Sequence, residues 1–181
     1  FNKSIWKIKK LGIVILHFGG ILLFVGGGLT AIFSSEGNMV IEEGAQSNHV
    51  EDYHLMELAV INTSDTIIDV YTIFDHPILK MGKIIQHENM GFDIEIINYI
   101  ENCELIRRNS PAGVQYQGMM KNFILSEIAP LKEENMNRPG IIFYLSNTGT
   151  SADGIYGLFL GQTIPQKVTM ENQEYVIVFR R

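Results

Sequence analysis

The sequence predicts a mainly β protein: one N-terminal transmembrane helix followed by a β-rich, sandwich-like extracytoplasmic domain. Three observations carry this expectation. Residues 11–33 form a run without a single Asp, Glu, Lys or Arg. From residue 34 onward, short apolar runs alternate with clusters of Gly, Asn, Asp and Pro, which is strand-and-turn patterning. The charge is also split: Lys3, Lys7, Lys9 and Lys10 are the only formally charged side chains before Glu36, whereas residues 34–181 carry 10 Lys and Arg against 20 Asp and Glu.

Composition narrows the classes of function. The chain has 181 residues, 46% of them hydrophobic and 19% charged, with one Cys. That excludes a disordered acidic tail and a disulfide-dense mini-protein. A net charge of −6 is the wrong sign for a general nucleic-acid binder, which needs a basic face.

Residues 1–10 read as a cytoplasmic basic flank, with Trp6 where an interfacial aromatic sits at the inner headgroups. Residues 11–33 read as the transmembrane helix. At 1.5 Å per residue the run covers about 34 Å, enough to cross the roughly 30 Å hydrocarbon core. A secretory signal peptide is the alternative, but its apolar stretch is shorter and ends in a small-residue cleavage site. No Ala-x-Ala follows here, which favours a retained anchor in contact with membrane lipid. The lysines before the run and Glu36, Glu42 and Glu43 after it put the N-terminus in the cytoplasm and residues 34–181 outside. The chain begins at Phe1 rather than Met, an opening that leaves room for spans upstream.

Within the run, Gly12, Gly19 and Gly26 recur every seven residues, with Gly20 and Gly27 beside them and Gly27 and Ala31 forming a small-xxx-small pair. Such residues let a second helix approach closely, although glycine is also simply common in membrane helices. His17 is the only ionisable group in the run. An intramembrane ionisable residue normally faces a partner or a cavity. A neutral imidazole is a good ligand for haem iron, and it serves equally as a packing hydrogen bond to a neighbouring helix.

In residues 34–181, strands are expected at 58–62, 66–74, 92–100, 140–146, 155–161 and 174–179. The clearest is 92–100, where Phe92, Ile94 and Ile96 share one face and Asp93 and Glu95 the other. Turns are expected at 62–65, 88–91, 109–113 and 147–154. Residues 119–128 fit a helical period and a strand equally well.

No catalytic constellation stands out: G-x-S-x-G, H-E-x-x-H, the P-loop and G-x-G-x-x-G are all absent. Cys103 has no CxxC or CxxCH partner, so a buried structural role is expected. His49, His54, His76 and His87, with Met39, Met56, Met81, Met90, Met119 and Met120, are soft donors able to hold copper, but they are scattered. Asp75-His76-Pro77 reads as a turn, because proline biases the residue before it to an extended conformation. Asn62-Thr63-Ser64 is a glycosylation sequon that matters only in a eukaryotic secretory pathway.

The stretch LGIVILHFGGILLFVGGGLTAIFSSEGNMVIEEGAQSN resembles the ResB (CcsB) family of cytochrome c biogenesis proteins. There a membrane helix with a His–hydrophobic–Gly pattern and a glycine-rich second half emerges into a G-x-h-x-h-x-E-G hairpin, where h is apolar. The matching residues are His17, Phe18 and Gly19, then Gly37, Met39, Ile41, Glu43 and Gly44. More loosely, residues 92–105 and the C-terminal EYVIVFRR look like later strands of the family. The family's earlier and later spans are missing, as in a fragment or a reduced relative.

The resemblance implies a non-catalytic subunit of the system II pathway in a bacterial inner membrane, working with a ResC (CcsA)-type membrane protein. Together such proteins hold haem at the outer face and present it to apocytochrome c. His17 is the position that inherits the family's transmembrane haem-binding histidine. The tryptophan-rich haem-binding region belongs to the partner. Two other expectations stand beside this one: a structural or sensory subunit of another membrane complex with no haem role, and an anchored hydrolase or copper protein built on the outer domain.

Overall fold

The computed structural model describes residues 11–34, 37–39, 41, 43, 44, 46, 51, 52, 55–133, 136–170 and 172–181. Lys3, Trp6, Lys7, Lys9, Lys10, Glu36, Glu42, His49 and His54 lie outside the described residues. The chain divides into two units, Phe1–Val50 and Glu51–Arg181.

In the first unit, α1 spans Leu11–Phe33, the bounds expected from the uncharged run. Its last turn closes with the Ser34 N–H donating to the Thr30 carbonyl at 2.8 Å. None of its residues is buried, and Leu23 and Phe24 are about as open as side chains on an isolated helix. A helix that is apolar on every side belongs in the core of a large protein or in a bilayer, and α1 is long and apolar enough to cross one. The two-residue strand β1 (Gly37–Asn38) follows.

The second unit begins with β2 (Glu51–Asp52) and is dominated by two four-stranded antiparallel sheets. The first contains β3 (Glu57–Asn62), β4 (Val70–Asp75), β11 (Gln166–Met170) and β12 (Gln173–Arg180), in the order β11-β12-β3-β4. The second contains β5 (Ile84–Ile85), β6 (Asp93–Ile100), β9 (Gly140–Ser146) and β10 (Gly154–Phe159), in the order β10-β9-β6-β5. Their inner faces share one core. Leu58, Val60, Phe74, Tyr175 and Ile177 from the first sheet join Ile94, Ile96, Phe143, Leu145 and Leu158 from the second. The domain is a sandwich in which alternate side chains of β3, β9 and β12 face the shared core. Aromatic edges lock the layers, with Phe92 meeting Tyr175 at 5.0 Å and Tyr99 meeting Phe179 at 6.1 Å.

A bulge in β6 decides what else the sandwich carries. Ile94 and Ile96 pair with Leu145 and Phe143, but the register to β9 then shifts between Ile96 and Asn98. The extra residue reverses the phase of the strand. Tyr99 therefore packs on the main core, and Ile100 turns to a second cluster with Cys103, Met120 and Leu125. That cluster lies under the hairpin of β7 (Cys103–Arg107) and β8 (Phe123–Glu127), with Ile142 of β9 and Phe159 of β10 packed against it. Gly157 makes the contact possible: a Cβ there would sit 2.7 Å from Met120 Sδ.

Three expectations are corrected. Residues 119–128 form neither a continuous helix nor a continuous strand; a 3-10 turn at Gly118–Lys121 leads into β8. The strand expected from residue 66 starts at Val70, because the Asp65 carboxylate accepts the N–H groups of Ile67 (2.7 Å) and Ile68 (3.3 Å) and curls that segment into a turn. Residues 166–170, outside every expected strand, form β11, an edge strand whose Val168 and Met170 face the core.

Candidate functional site

α1 holds the residues singled out for the membrane. The His17 Nδ1 lies 2.8 Å from the carbonyl oxygen of Ile13, one turn back along the helix. A carbonyl can only accept, so Nδ1 carries the proton and, in the neutral ring, Nε2 keeps its lone pair. The ring is exposed, and Nε2 has no partner among the described residues. This is the arrangement a metal-binding imidazole adopts: one nitrogen is fixed by a hydrogen bond to backbone and the other is offered outward.

Added Cβ atoms at Gly12, Gly19, Gly20, Gly26 and Gly27 would meet nothing within 4 Å. At about 100° per residue the small residues of α1 occupy one broad half of the helix, and the opposite half carries Phe18, Leu22, Val25 and Leu29. His17 lies roughly 160° from Gly19 but only about 60° from Gly20, at the edge of the small-residue half. A single helix packed on the Gly12–Gly19–Gly26 line would therefore leave the imidazole to a second neighbour. Thr30 is turned inward on α1 itself, donating to the Gly26 carbonyl at 3.0 Å.

In the sandwich the soft donors separate. Met56, Met90 and Met120 are core side chains and Met81 is exposed, as is Met39 in the first unit. The His87 Nδ1 accepts the Asn89 N–H at 3.2 Å. His76, in the 3-10 turn His76–Ile78, lies with its ring 4.7 Å from that of Tyr99. Its Nδ1 is buried without a hydrogen bond, at the wall of a cleft of about 350 Å³ that it shares with Met56, Glu101 and Lys132. Among the described residues, no three His, Cys, Asp or Glu converge in a ligand set.

Cys103 is buried at 3% exposure. Burial pushes its thiol up to about 11, against the opposing pull of the Arg138 charge. Nucleophilic chemistry needs a thiolate, so at neutral pH this sulfur is a packing atom. Beside it stands Asn102, a residue with no motif to mark it. Its side-chain amide donates to the Ala129 carbonyl at 3.1 Å and accepts the Arg138 N–H at 3.0 Å, tying Ala129 and Arg138 to the β6–β7 corner. A second unmarked group, Arg107, Arg108 and Lys121, lines a cleft at the mouth of the β7–β8 hairpin. Its one sequence signal is an Arg-Arg pair in an otherwise acidic domain.

No family model, curated protein or solved structure matches the chain. The likeness to the ResB family therefore rests on the residues of α1 and of the segment that follows it.

Proposed function

We propose that the chain is a membrane-anchored, non-catalytic subunit of a system II cytochrome c assembly apparatus. It lies in a bacterial inner membrane with its N-terminus in the cytoplasm and its sandwich outside. Its partners are a ResC (CcsA)-type membrane protein and apocytochrome c. The observation that carries the reading is the His17 ring: its Nδ1–H is held by the Ile13 carbonyl, which leaves Nε2 as a neutral donor within an uncharged span.

His17 is the residue that would hold haem, offering its Nε2 lone pair to the iron. Bound there, haem would supply the vinyl groups for thioether attachment to apocytochrome c. Gly20, one turn further along the same side of α1, brings no side chain up against the ring, and its neighbourhood is open. The heptad-spaced glycines offer the partner's helices a surface that permits close approach. The sandwich, built on a complete core of its own, serves as the platform that positions the partner or the apocytochrome.

The test is co-purification of the full chain with its ResC-type partner, followed by the Soret absorbance per complex. His17→Ala is expected to lower haem retention and cytochrome c yield while the two proteins still co-purify. Unchanged Soret absorbance in His17→Ala would remove the ligand role. The chain would then be a structural or sensory subunit, a reading consistent with an imidazole already satisfied on one side by its own helix.

A further inference from the structure

The β7–β8 hairpin does not close in a tight turn. Residues 108–122 form a long loop fixed on both sides. At the hairpin mouth the Arg108 N–H donates to the Asn122 carbonyl at 2.8 Å. On the far side the Gln117 N–H donates to the Ile155 carbonyl at 2.9 Å, and the Ile155 N–H to the Gln115 carbonyl at 2.7 Å. Between these ties lies a cleft of about 680 Å³.

The charged groups lining it are Arg107, Arg108 and Lys121, with no Asp or Glu, although acids outnumber bases 20 to 10 over residues 34–181. Among the described residues none of the three has a carboxylate partner; the ion pairs lie elsewhere, at Lys167–Glu174 and Arg180–Glu57. Arg108 is held in place. Its Nε donates to the Met120 carbonyl at 2.9 Å, and its guanidinium carbon sits 4.3 Å from the centre of the Tyr116 ring. Those contacts use Nε and one face of the guanidinium. Both terminal amino groups remain, and they form the fork that grips an oxyanion through two parallel hydrogen bonds. Three cations around one cleft repel one another, and a bound anion relieves that repulsion.

We propose that this cleft binds a phosphate group, with Arg108 as the bidentate grip and Arg107 and Lys121 as flanking charges. The cleft is larger than inorganic phosphate, so the group is one carried on a bigger molecule: a soluble phosphate ester or a phospholipid head. Ser110 and Asn122 add hydrogen-bonding groups to the lining. Val114, 96% exposed at the rim, gives the substituent an apolar contact.

The proposal is independent of the haem reading and is tested by calorimetry on the full chain in a nonionic detergent. The titrants are inorganic phosphate, glycerol phosphate and short-chain phosphatidylglycerol. Saturable binding is expected, weakened about tenfold by Arg107→Gln and by Lys121→Gln. Arg138→Gln is expected to leave it unchanged, because that guanidinium lies outside the cleft, over the Phe159 ring. Glycerol phosphate binding as tightly as the lipid would identify a soluble ester; saturation by the lipid alone would identify a headgroup. The proposal is overturned if none of the three saturates, if binding ignores both cleft substitutions, or if chloride or a polyglutamate peptide binds as tightly.

Discussion

The helix and the sandwich put apolar side chains to opposite uses. In α1 none of the 23 residues is buried, and the space around its glycines is empty to 4 Å. In the sandwich, Leu58, Ile94, Ile96, Ile141, Phe143, Leu145 and Ile177 are all fully buried. One region supplies its own low-dielectric surroundings and the other must find them, in lipid or in neighbouring helices. A substitution should therefore register differently in each. In the sandwich it changes the folding of this chain, and in α1 it changes only what the chain associates with.

The largest effect expected from this contrast is at Phe143, wholly buried in β9 and stacked on Tyr156 with ring centres 5.8 Å apart. Phe143→Ala should cost about 3–5 kcal/mol from lost burial and the cavity left behind. Urea unfolding of the full chain in detergent, followed by near-ultraviolet circular dichroism, measures it. Leu22→Ala in α1 removes a comparable apolar group and should leave that transition where it is. A matching loss in Leu22→Ala would break the contrast.

The same contrast explains which features could be read in advance. α1 was legible to the residue, because a bilayer demands an unbroken uncharged run and nothing in the fold modifies it. The first half of β6 was legible because buried Ile94 and Ile96 alternate with the more exposed Asp93 and Glu95, and β9 because it is an unbroken run of strand-favouring apolar residues. β3 was legible for a different reason. Its Ala59, on the outer face, is covered by Ile73 and Val178, its cross-strand partners, so Leu58–Val60 is a solid apolar run. What escaped depends on long-range contacts. The bulge at Ile96–Asn98 has no local signature, nor does the approach of Met120 to Gly157. The Asp65 turn was foreseen in outline, but its side-chain bonds, which delay β4 to Val70, were not. The candidate site divides the same way. His17 stands out as the one ionisable group in an apolar span, whereas Arg107, Arg108 and Lys121 are gathered only by the fold.

Glycines sharpen the comparison at a smaller scale. A Cβ on Gly140 would lie 2.8 Å from Cys103 Sγ and 3.4 Å from the Leu158 carbonyl oxygen, whereas one on Gly19 would meet nothing. Gly140→Ala should therefore destabilise the sandwich by about 1–3 kcal/mol through overpacking. Cys103→Ala removes the clashing sulfur, so the double substitution should cost less than the sum of the two single ones. Gly19→Ala should leave the sandwich transition unchanged and instead weaken co-purification with the partner. Additivity at Gly140 and Cys103 would show that β9 relaxes away from the sulfur rather than packing against it.

The smallest expected effect appears in alkali and concerns only the sandwich. Burial pushes the Tyr99 hydroxyl up to about 12, helped by the Glu101 charge, and the Tyr156 hydroxyl up to about 12, helped by Asp153. Cys103 rises to about 11. In the unfolded chain these groups ionise near 10.0 for tyrosine and 9.0 for the thiol. Above those values the unfolded state binds fewer protons than the folded one, so stability falls as pH rises. The contribution is whole below about pH 9 and is lost progressively toward pH 12. The melting temperature should drop by a few degrees over that range. Cys103→Ala should flatten the slope between pH 9 and 11 on top of any constant offset. α1 contains neither Tyr nor Cys, so its far-ultraviolet helical signal should stay level across the same titration. A flat melting temperature from pH 8 to 10, below the range where the tyrosines contribute, would mean that the thiol reaches solvent, and the second cluster under the β7–β8 hairpin would then be open rather than closed over Cys103.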